Sequence, residues 1–347
     1  LANSNRKFSI IMNEEVDLTI IGAGPVGMFA GFYAGLRELK VAIVESLSDL
    51  GGQVTNFYPN KTILDVAGFT NVSGQALIND LTEQLSQFDQ TMRLGATVTD
   101  IVPDEDGYQI QTDQQDIFHT KGIVLATGAG AFEPRRISAD LLDEHVEDNI
   151  HYSIHELESF TGKRVLVAGG GDSAVDMALH LEPVAAKVRL THRRDKFRAL
   201  EHSLTRLENS SVALETPYTI KHVARDVSGA LSVTLQVARA EETKVITVDE
   251  IVISYGFQTE NKIMAGWTIK PELNDQNQIL VSQNMATSVK NIYAIGDVAA
   301  YNGKYDVIAT GFGEAPTAIN DLMTHILPEK KGPAHSTALT VENGTVK

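Results

Sequence analysis

Two glycine-rich loops in the sequence have the spacing that binds the phosphates of a dinucleotide. The first reads GAGPVG over residues 22–27, and the second reads GGGDSA over residues 169–174. Such loops combine a tight turn, a close backbone approach to pyrophosphate and a helix amino terminus that offers free N–H donors. The loop residues expected to contact a nucleotide are Gly22, Gly24, Pro25, Gly27, Gly169, Gly171, Asp172 and Ser173.

The residues that follow each loop predict which nucleotide it binds. Glu45 stands 23 residues after Gly22, where an acidic side chain binds a ribose 2′-hydroxyl. A basic cluster begins at the same distance beyond the second loop and contains His192, Arg193, Arg194 and Arg198. Arginines hold a 2′-phosphate by charge-assisted hydrogen bonds, whereas a carboxylate repels it. The second loop therefore favours NADPH over NADH, and the alternative is a solvated basic run.

Apolar strands and helices surround both loops. The pattern predicts strands over 16–21 and 41–45 around a helix over 28–39, and strands over 164–168 and 187–191 around a helix over 175–181. Further apolar runs at 123–128 and 251–256 each end in glycine, and another strand over 291–297 ends in Gly-Asp. Continuous apolar strands indicate a parallel sheet covered on both faces. The fold class is thus α/β with two Rossmann-like dinucleotide-binding domains.

Composition and charge exclude several classes of protein. The chain has 347 residues and no cysteine, which removes disulfides, thiolate metal sites and a cysteine nucleophile. Its 29 basic and 45 acidic residues give a net charge of −16, which disfavours binding to nucleic acid or anionic membrane. No apolar run of about 18 residues predicts a membrane-spanning helix.

Targeting and metal signals are weak. The first 11 residues are polar where a signal peptide is apolar, so we expect a cytoplasmic location, and Met12 is a candidate natural start. His151 and His155 are four residues apart, yet a surface or capping role is favoured over a metal site. No metal is expected.

A set of motifs resembles one family over nearly the whole chain. The motifs are GAGPVG at 22–27, ATG at 126–128, GGGDSA at 169–174, HRRDKFRA at 192–199 and AIGD at 294–297. The chain resembles two-domain flavoproteins of the thioredoxin reductase type. It departs from them where their CxxC pair stands, because residues 151–158 read HYSIHELE. Without a dithiol it resembles the thioredoxin-reductase-like ferredoxin–NADP⁺ reductases, as GGQ at 51–53, DVAGF at 65–69 and HSTAL at 335–339 also suggest.

The resemblance implies a domain order. FAD is expected in residues 1–128 and 257–347, with NADP(H) in an inserted domain over 129–256 and a C-terminal extension that covers the flavin. The resemblance also implies a homodimer.

The resemblance implies a role for individual residues. Glu45 would bind the adenosine ribose of FAD, and Gly52, Gln53 and Asp297 would contact the cofactor, the last two at its flavin end and ribityl chain. Val98 would lie near the adenine and Phe132 near the flavin. Tyr58 and His335 would stack on opposite faces of the flavin ring, with Thr337 hydrogen-bonded near it.

The implied activity is transfer of hydride from NADPH to FAD, followed by one-electron transfer to ferredoxin or flavodoxin. No side chain is expected to act as acid, base or nucleophile, because the cofactor carries the chemistry. Since the carrier is acidic, a basic patch is expected near the flavin, with Lys61, Arg135, Arg136 and Lys304 as candidates. Two alternatives remain open: an NADPH-dependent flavin reductase, diaphorase or oxidase, and a non-catalytic FAD/NADPH redox sensor.

Overall fold

The computed structural model describes residues 13–128, 130–154, 156–260, 263–330, 340–342 and 344–346, without the side chains of 131–133, 257–260 and 263. The chain forms two compact units, one made of Leu1–Ala131 and Thr259–Lys347 and the other of Phe132–Gln258. The second unit therefore interrupts the first. No helix in the described ranges is long and apolar enough to cross a membrane.

In its described residues, the first segment of unit 1 has eight strands and three helices, apart from a strand at its end that is given below. The strands are β1 (Glu14–Ile21), β2 (Val41–Glu45), β3 (Thr62–Ile63), β4 (Val72–Ser73), β5 (Thr91–Leu94), β6 (Val98–Asp104), β7 (Gly107–Thr112) and β8 (Ile117–Leu125). The helices are α1 (Pro25–Leu36), α2 (Gln53–Phe57) and α3 (Gly74–Leu85).

Two short strands carry the chain out of unit 1 and back, and they pair with each other. They are β9 (Ala131–Pro134) and β18 (Phe257–Glu260). Between them come the strands β10 (Ile150–His151), β11 (Arg164–Gly169), β12 (Lys187–Thr191), β13 (Ala213–Glu215), β14 (Tyr218–Arg225), β15 (Leu231–Val237), β16 (Thr243–Val248) and β17 (Glu250–Ser254). The helices of this stretch are α4 (Asp172–Leu181) and α5 (Glu201–Glu208).

The second segment of unit 1 contains one long helix, α6 (Ile308–Ile326). Its strands are β19 (Ile279–Leu280), β20 (Ile292–Ala294), β21 (Ala299–Ala300), β22 (Val341–Glu342) and β23 (Thr345–Val346).

The main sheet of unit 1 is built from both of its segments. Its parallel core has the order β5–β2–β1–β8, and β20 adds to the carboxyl end of β8, where Ile292 pairs with Ile123. The amino end of β8 pairs with the antiparallel hairpin β6–β7 instead. All five residues of β2 are buried, as expected for a strand covered on both faces. Helices α1, α3 and α6 cover one face, and Trp267 packs with Phe118 and Ile101 on the other.

Unit 2 has a five-stranded parallel sheet in the order β10–β17–β11–β12–β13. Helix α4 packs on one face of this sheet through Val175, Ala178 and Leu179. The antiparallel sheet β14–β15–β16 packs on the other face, where Leu231, Val233 and Leu235 join the core. Each unit thus has a parallel sheet with a glycine loop between a strand and the next helix, β1 and α1 in unit 1 and β11 and α4 in unit 2, which confirms the predicted α/β class.

Candidate nucleotide-binding sites

The glycine loop of unit 1 is closed on one side and open on the other. Gly22 has φ +106°, and a Cβ built there would lie 2.4 Å from the carbonyl oxygen of Ala126. A Cβ on Gly27 would lie 2.0 Å from the carbonyl oxygen of Gly22, so the helix can approach the strand only through glycine. A Cβ on Gly24 would meet nothing within 4 Å. Gly24 therefore borders open space of the kind a pyrophosphate needs.

Helix α1 starts at this open side. Pro25 is its first residue, and no described side chain caps its amino terminus. The missing N–H of a proline costs nothing at this position, because the first N–H groups of a helix have no partner within it. The unpaired N–H groups and the positive end of the helix dipole attract an anion.

Glu45 ends β2 beside the same loop. Its carboxylate is buried at 6% exposure and accepts hydrogen bonds from the backbone N–H of Ala23 at 2.7 Å and of Leu47 at 2.8 Å. Ser46 donates its hydroxyl at 3.1 Å. A carboxylate has about four lone-pair positions, so it retains capacity for a ribose hydroxyl. The bond to Ala23 fixes the carboxylate against the phosphate loop.

The GGQ segment lies against the open side of the loop. The N–H of Gly51 donates to the carbonyl of Ala23 at 2.9 Å. A Cβ on Gly52, whose φ is +56°, would lie 3.1 Å from the Cα of Gly24. The Nε2 of Gln53 lies 3.0 Å from the Cβ position of Gly128, at the end of the ATG motif. The structure thus brings Gly52 to the phosphate loop and the side chain of Gln53 to the ATG motif.

The charge of Asp297 acts on Tyr58. Burial, followed by the charges of Asp297 and Asp65, raises the pKa of Tyr58 to about 12. Burial is also the largest cause of the raised pKa of Asp297, and Asp306 adds to it while Lys304 opposes it. The phenol of Tyr58 therefore keeps its proton throughout the working range of pH.

The turn before Asp297 reaches the start of α1. The Cβ position of Gly296, which has φ +70°, lies 3.5 Å from Val26. Residues from both segments of unit 1 thus meet at the glycine loop and the start of α1: Glu45 and Gly52 from the first segment and Gly296 from the second.

The other predicted FAD contacts have less support. Val98 is 4% exposed, and its carbonyl accepts a hydrogen bond from Trp267 Nε1 at 3.2 Å, so little of its side chain can meet an adenine. Phe132 lies in β9, and its side chain is outside the described part. His335 and Thr337 lie outside the described residues.

Unit 2 contains a cavity of about 750 Å³ around its own glycine loop. The predicted residues that line it are Gly169, Gly171, Asp172, Ser173, His192, Arg193, Arg194 and Arg198. The three arginines are exposed, and none forms an ion pair with another described residue. Three cations beside a helix amino terminus are suited to an anionic ligand with two phosphate groups.

The histidine of the basic cluster lies on the glycine loop itself. A Cβ on Gly170 would lie 2.1 Å from the ring of His192, which also contacts Phe197 at 5.4 Å between ring centroids. The N–H of Arg198 donates to the carbonyl of Gly170 at 2.7 Å. Burial, followed by the charges of Arg193 and its two neighbouring arginines, lowers the pKa of His192. The imidazole is therefore neutral at pH 7, and the arginines supply the positive charge.

Asp172 has a structural contact that the motif did not predict. Its Oδ1 accepts a hydrogen bond from the backbone N–H of Leu200 at 2.8 Å. The first turn of α4 is thus tied to the segment that follows the basic cluster. Ser173, the next residue, is exposed at the cavity.

The cavity also contains residues that sequence reasoning did not place there. Arg135, Arg136, Tyr218 and Tyr255 all line it. The guanidinium of Arg136 lies 5.2 Å above the ring of Tyr152, and burial raises the pKa of Tyr255 to about 12. The sequence predicts the Arg135–Arg136 doublet as part of a carrier-binding patch, and the structure places both residues at this cavity.

Lys304 is a third candidate for the carrier-binding patch, and for this residue the prediction was wrong. Its side chain is only 6% exposed, and its Nζ lies 3.0 Å from Oε1 of the buried Glu314. A buried, paired ammonium presents no charge to an approaching protein. Lys61, the remaining candidate, is half-buried.

Two dinucleotide sites in one chain define an oxidoreductase that passes electrons between two nucleotide cofactors. A family model described as "Pyridine nucleotide-disulphide oxidoreductase" matches residues 16–321. The chain belongs to this family. It has no cysteine for the disulphide chemistry in the family's description.

Curated relatives cover nearly the whole chain. A protein of Leuconostoc mesenteroides named ferredoxin–NADP reductase is 45% identical over 96% of this chain and 99% of its own length. One of Levilactobacillus brevis with the same name is 47% identical over 96% of this chain and 100% of its own length. A crystal structure of Lactococcus lactis thioredoxin reductase is similar with a TM-score of 0.73 and 26% identity, over 90% of this chain and 99% of that one. The thioredoxin reductase of T. acidophilum has the same TM-score at 22% identity, over 90% and 99% of the two chains, and supports the fold alone.

Proposed function

We propose that the protein is a ferredoxin/flavodoxin–NADP⁺ reductase. Its cofactors are FAD and NADP(H). The observation that carries the proposal is the combination of two nucleotide sites with a complete lack of cysteine, in a chain about 45% identical to relatives named ferredoxin–NADP reductase. Electrons that reach the first unit cannot leave through a dithiol, so they must pass directly to an external acceptor.

The residues of unit 1 fit FAD. The chemistry that FAD would supply there is the exchange of two electrons with NADPH and of single electrons with a protein carrier. Glu45 would hold the adenosine ribose, Gly24 and Pro25 would admit the pyrophosphate, and Gln53 and Asp297 would contact the flavin end. Tyr58 would cover the flavin ring and exclude water from that face.

The residues of unit 2 fit NADP(H). Arg193, Arg194 and Arg198 would hold the 2′-phosphate, and the amino terminus of α4 would hold the pyrophosphate. We include Arg135 and Arg136 in this site, because both line the same cavity as the glycine loop. No side chain of either unit is assigned a proton-transfer step.

Several finer points are part of the proposal. They are flavodoxin as a second carrier, assembly as a homodimer and a cytoplasmic location. Val98, Phe132, His335 and Thr337 keep the roles that the family resemblance implies, as predictions.

Reduction of cytochrome c by the purified protein tests the proposal. We expect a rate that depends on both NADPH and added ferredoxin, and a much lower rate with NADH. The matched control is the same assay with ferredoxin omitted. Equal rates without ferredoxin would instead support a diaphorase or oxidase. Nucleotide binding without turnover on any acceptor would support a redox sensor.

A further inference from the structure

A buried ion pair holds the turn that is expected to contact the flavin. Glu314 lies in α6 at 4% exposure, and the side chain of Lys304 is 6% exposed. Lys304 Nζ lies 3.0 Å from Oε1 and 3.3 Å from Oε2 of Glu314. Tyr301 donates its hydroxyl to Oε1 at 2.8 Å.

Both polar groups of Gly296 are bonded to this pair. The N–H of Gly296 donates to Glu314 Oε2 at 2.7 Å, and its carbonyl accepts from Lys304 Nζ at 2.6 Å. Gly296 has φ +70°, in the left-handed region, and the next residue is Asp297. Because the residue before Asp297 is fixed at both its donor and its acceptor, the direction in which Asp297 leaves the turn is fixed as well.

A buried ion pair is a costly way to stabilise the fold alone. Burying two opposite charges carries a desolvation penalty that apolar side chains of the same volume would avoid. Here the carboxylate has three donors and the ammonium has two acceptor groups, so the pair is well satisfied. Such a pair specifies one geometry, which a methionine and a leucine in its place would not.

The pair also places a cation, Lys304, where it offsets the negative charges that act on Asp297. Burial raises the pKa of Asp297, with Asp306 and Glu314 adding to the effect, and Lys304 opposes it. Without Lys304, three carboxylates would share this part of the site. Its charge therefore bears on any group that Asp297 contacts.

We propose that Lys304 and Glu314 are positioning residues for the FAD site: the pair fixes the Gly296–Asp297 turn and sets the charge beside the flavin. The inference rests on the proposed binding of FAD in unit 1. Neither residue touches the reacting atoms, and both act through Gly296 and Asp297.

Three variants of the full-length protein test the inference: Lys304→Met, Glu314→Gln and the control Lys121→Met. Lys121 also forms an ion pair in unit 1, with Asp17 at 2.7 Å, but its side chain is 46% exposed. Each variant is deflavinated and titrated with FAD, its thermal unfolding is measured without FAD, and the midpoint potential of the bound flavin is measured.

We expect FAD to bind at least tenfold more weakly to Lys304→Met, severalfold more weakly to Glu314→Gln, and within twofold of wild type to the control. The midpoint potential should fall in Lys304→Met, because a positive charge is lost near a group that gains electrons, and rise in Glu314→Gln. Opposite shifts are the signature of a charge effect, since structural damage alone moves both variants the same way.

Wild-type affinity and potential in both variants would overturn the inference, and so would shifts of the same sign. If either variant does not fold, Tyr301→Phe, which removes only one donor to Glu314, should still weaken FAD binding and lower the potential slightly, because the carboxylate loses a dipole that offsets its charge; unchanged values would also overturn the inference. A wild-type protein that binds no FAD at all would instead refute the proposed function.

Discussion

The two nucleotide loops share one backbone plan, yet they differ at the second and last positions of the motif. In unit 1 these positions hold Ala23 and Gly27, and in unit 2 they hold Gly170 and Ala174. The difference at the second position is explained by the side chain that stands 23 residues after the first glycine of each loop. Glu45 needs only the backbone N–H of Ala23, whereas the ring of His192 occupies the space of a Cβ on Gly170.

The residue at the last position of the motif is determined by the backbone conformation at the first position. Gly22 has φ +106° and directs its carbonyl to 2.0 Å from the Cβ position of Gly27, so only glycine fits. In unit 2 the Cβ of Ala174 is present and lies 2.7 Å from the Cβ position of Gly169 instead. Unit 1 thus needs glycine at both the first and the last position of the motif, whereas unit 2 needs it at the first position and accepts alanine at the last.

The largest effect on cofactor binding is expected when the residues at the last position of the two motifs are exchanged, alanine for glycine in unit 1 and glycine for alanine in unit 2. Gly27→Ala should abolish retention of FAD, because its Cβ would overlap a backbone oxygen that cannot move without displacing α1. The measurement is the FAD content of the purified protein and the affinity of the apoprotein for FAD. The matched control, Ala174→Gly, should cost about 1 kcal/mol of unfolding free energy, as glycine does in a helix, and leave FAD bound. Normal FAD retention in Gly27→Ala would show that the two loops do not differ in this way.

The basic cluster should account for the next largest difference. Arg193→Ala combined with Arg194→Ala removes two charged hydrogen-bond donors, each worth about 1.5–3 kcal/mol, so kcat/KM for NADPH should fall at least about 100-fold. Steady-state kinetics with NADH should change less than about threefold, because NADH lacks the 2′-phosphate. Lys196→Ala, an exposed cation in the same segment, is the control. Equal losses with both nucleotides would mean that these arginines do not select the phosphate.

The second position of the motif is tested by exchanging its small residues. Gly170→Ala should displace His192 and weaken NADPH binding about tenfold, which corresponds to about 1.4 kcal/mol. Ala23→Gly should change FAD affinity only slightly, because the bond from the backbone N–H of Ala23 to Glu45 is kept. Both affinities can be measured by titration. If Ala23→Gly proved the more harmful, the assignment of His192 as the reason for Gly170 would be wrong.

The smallest expected effect is the contribution of His192 to the loss of stability at acid pH. Its pKa is lowered in the folded state, so the unfolded chain binds more protons as the pH falls through about 6.5. The stability that the neutral ring contributes is fully present above that pH and is lost below it. In nucleotide-free protein, His192→Gln should therefore lose less melting temperature between pH 7.5 and 5.5 than wild type does. A larger loss in the variant would contradict the lowered pKa.

The elements that carry the loops were predictable because their signals are local. Strands 41–45 and 187–191 have the predicted bounds, since each apolar run is followed by a residue of different character. The helix expected over 28–39 is instead Pro25–Leu36, because Gly24 and Pro25 already form its amino terminus. Glu38, with φ +56°, breaks the helical conformation before residue 39.

The other parts of the fold and of the site could not be predicted, because they depend on contacts between residues that are distant in the sequence. Glu314 stands in an amphipathic helix, where a lone carboxylate reads as a surface residue, and only the fold brings Lys304 and Gly296 to it. The sheet β14–β16 was not predicted. Its strands alternate polar and apolar residues, and this pattern does not show which other element their apolar face packs against. Arg135 and Arg136 were recognised as a basic pair, but only the cavity shows that they accompany the second loop.

The interruption of unit 1 by unit 2 has a consequence for synthesis on the ribosome. Strand β20 pairs with residues 123–125 of β8, and α6 packs beside α1, yet both are translated after the whole of unit 2. The parallel sheet of unit 2 comes from one continuous stretch and can form as soon as β17 has emerged. The unit whose translation begins first therefore finishes folding last, and until then the carboxyl end of β8 is an unpaired edge that a nascent chain must keep from its neighbours.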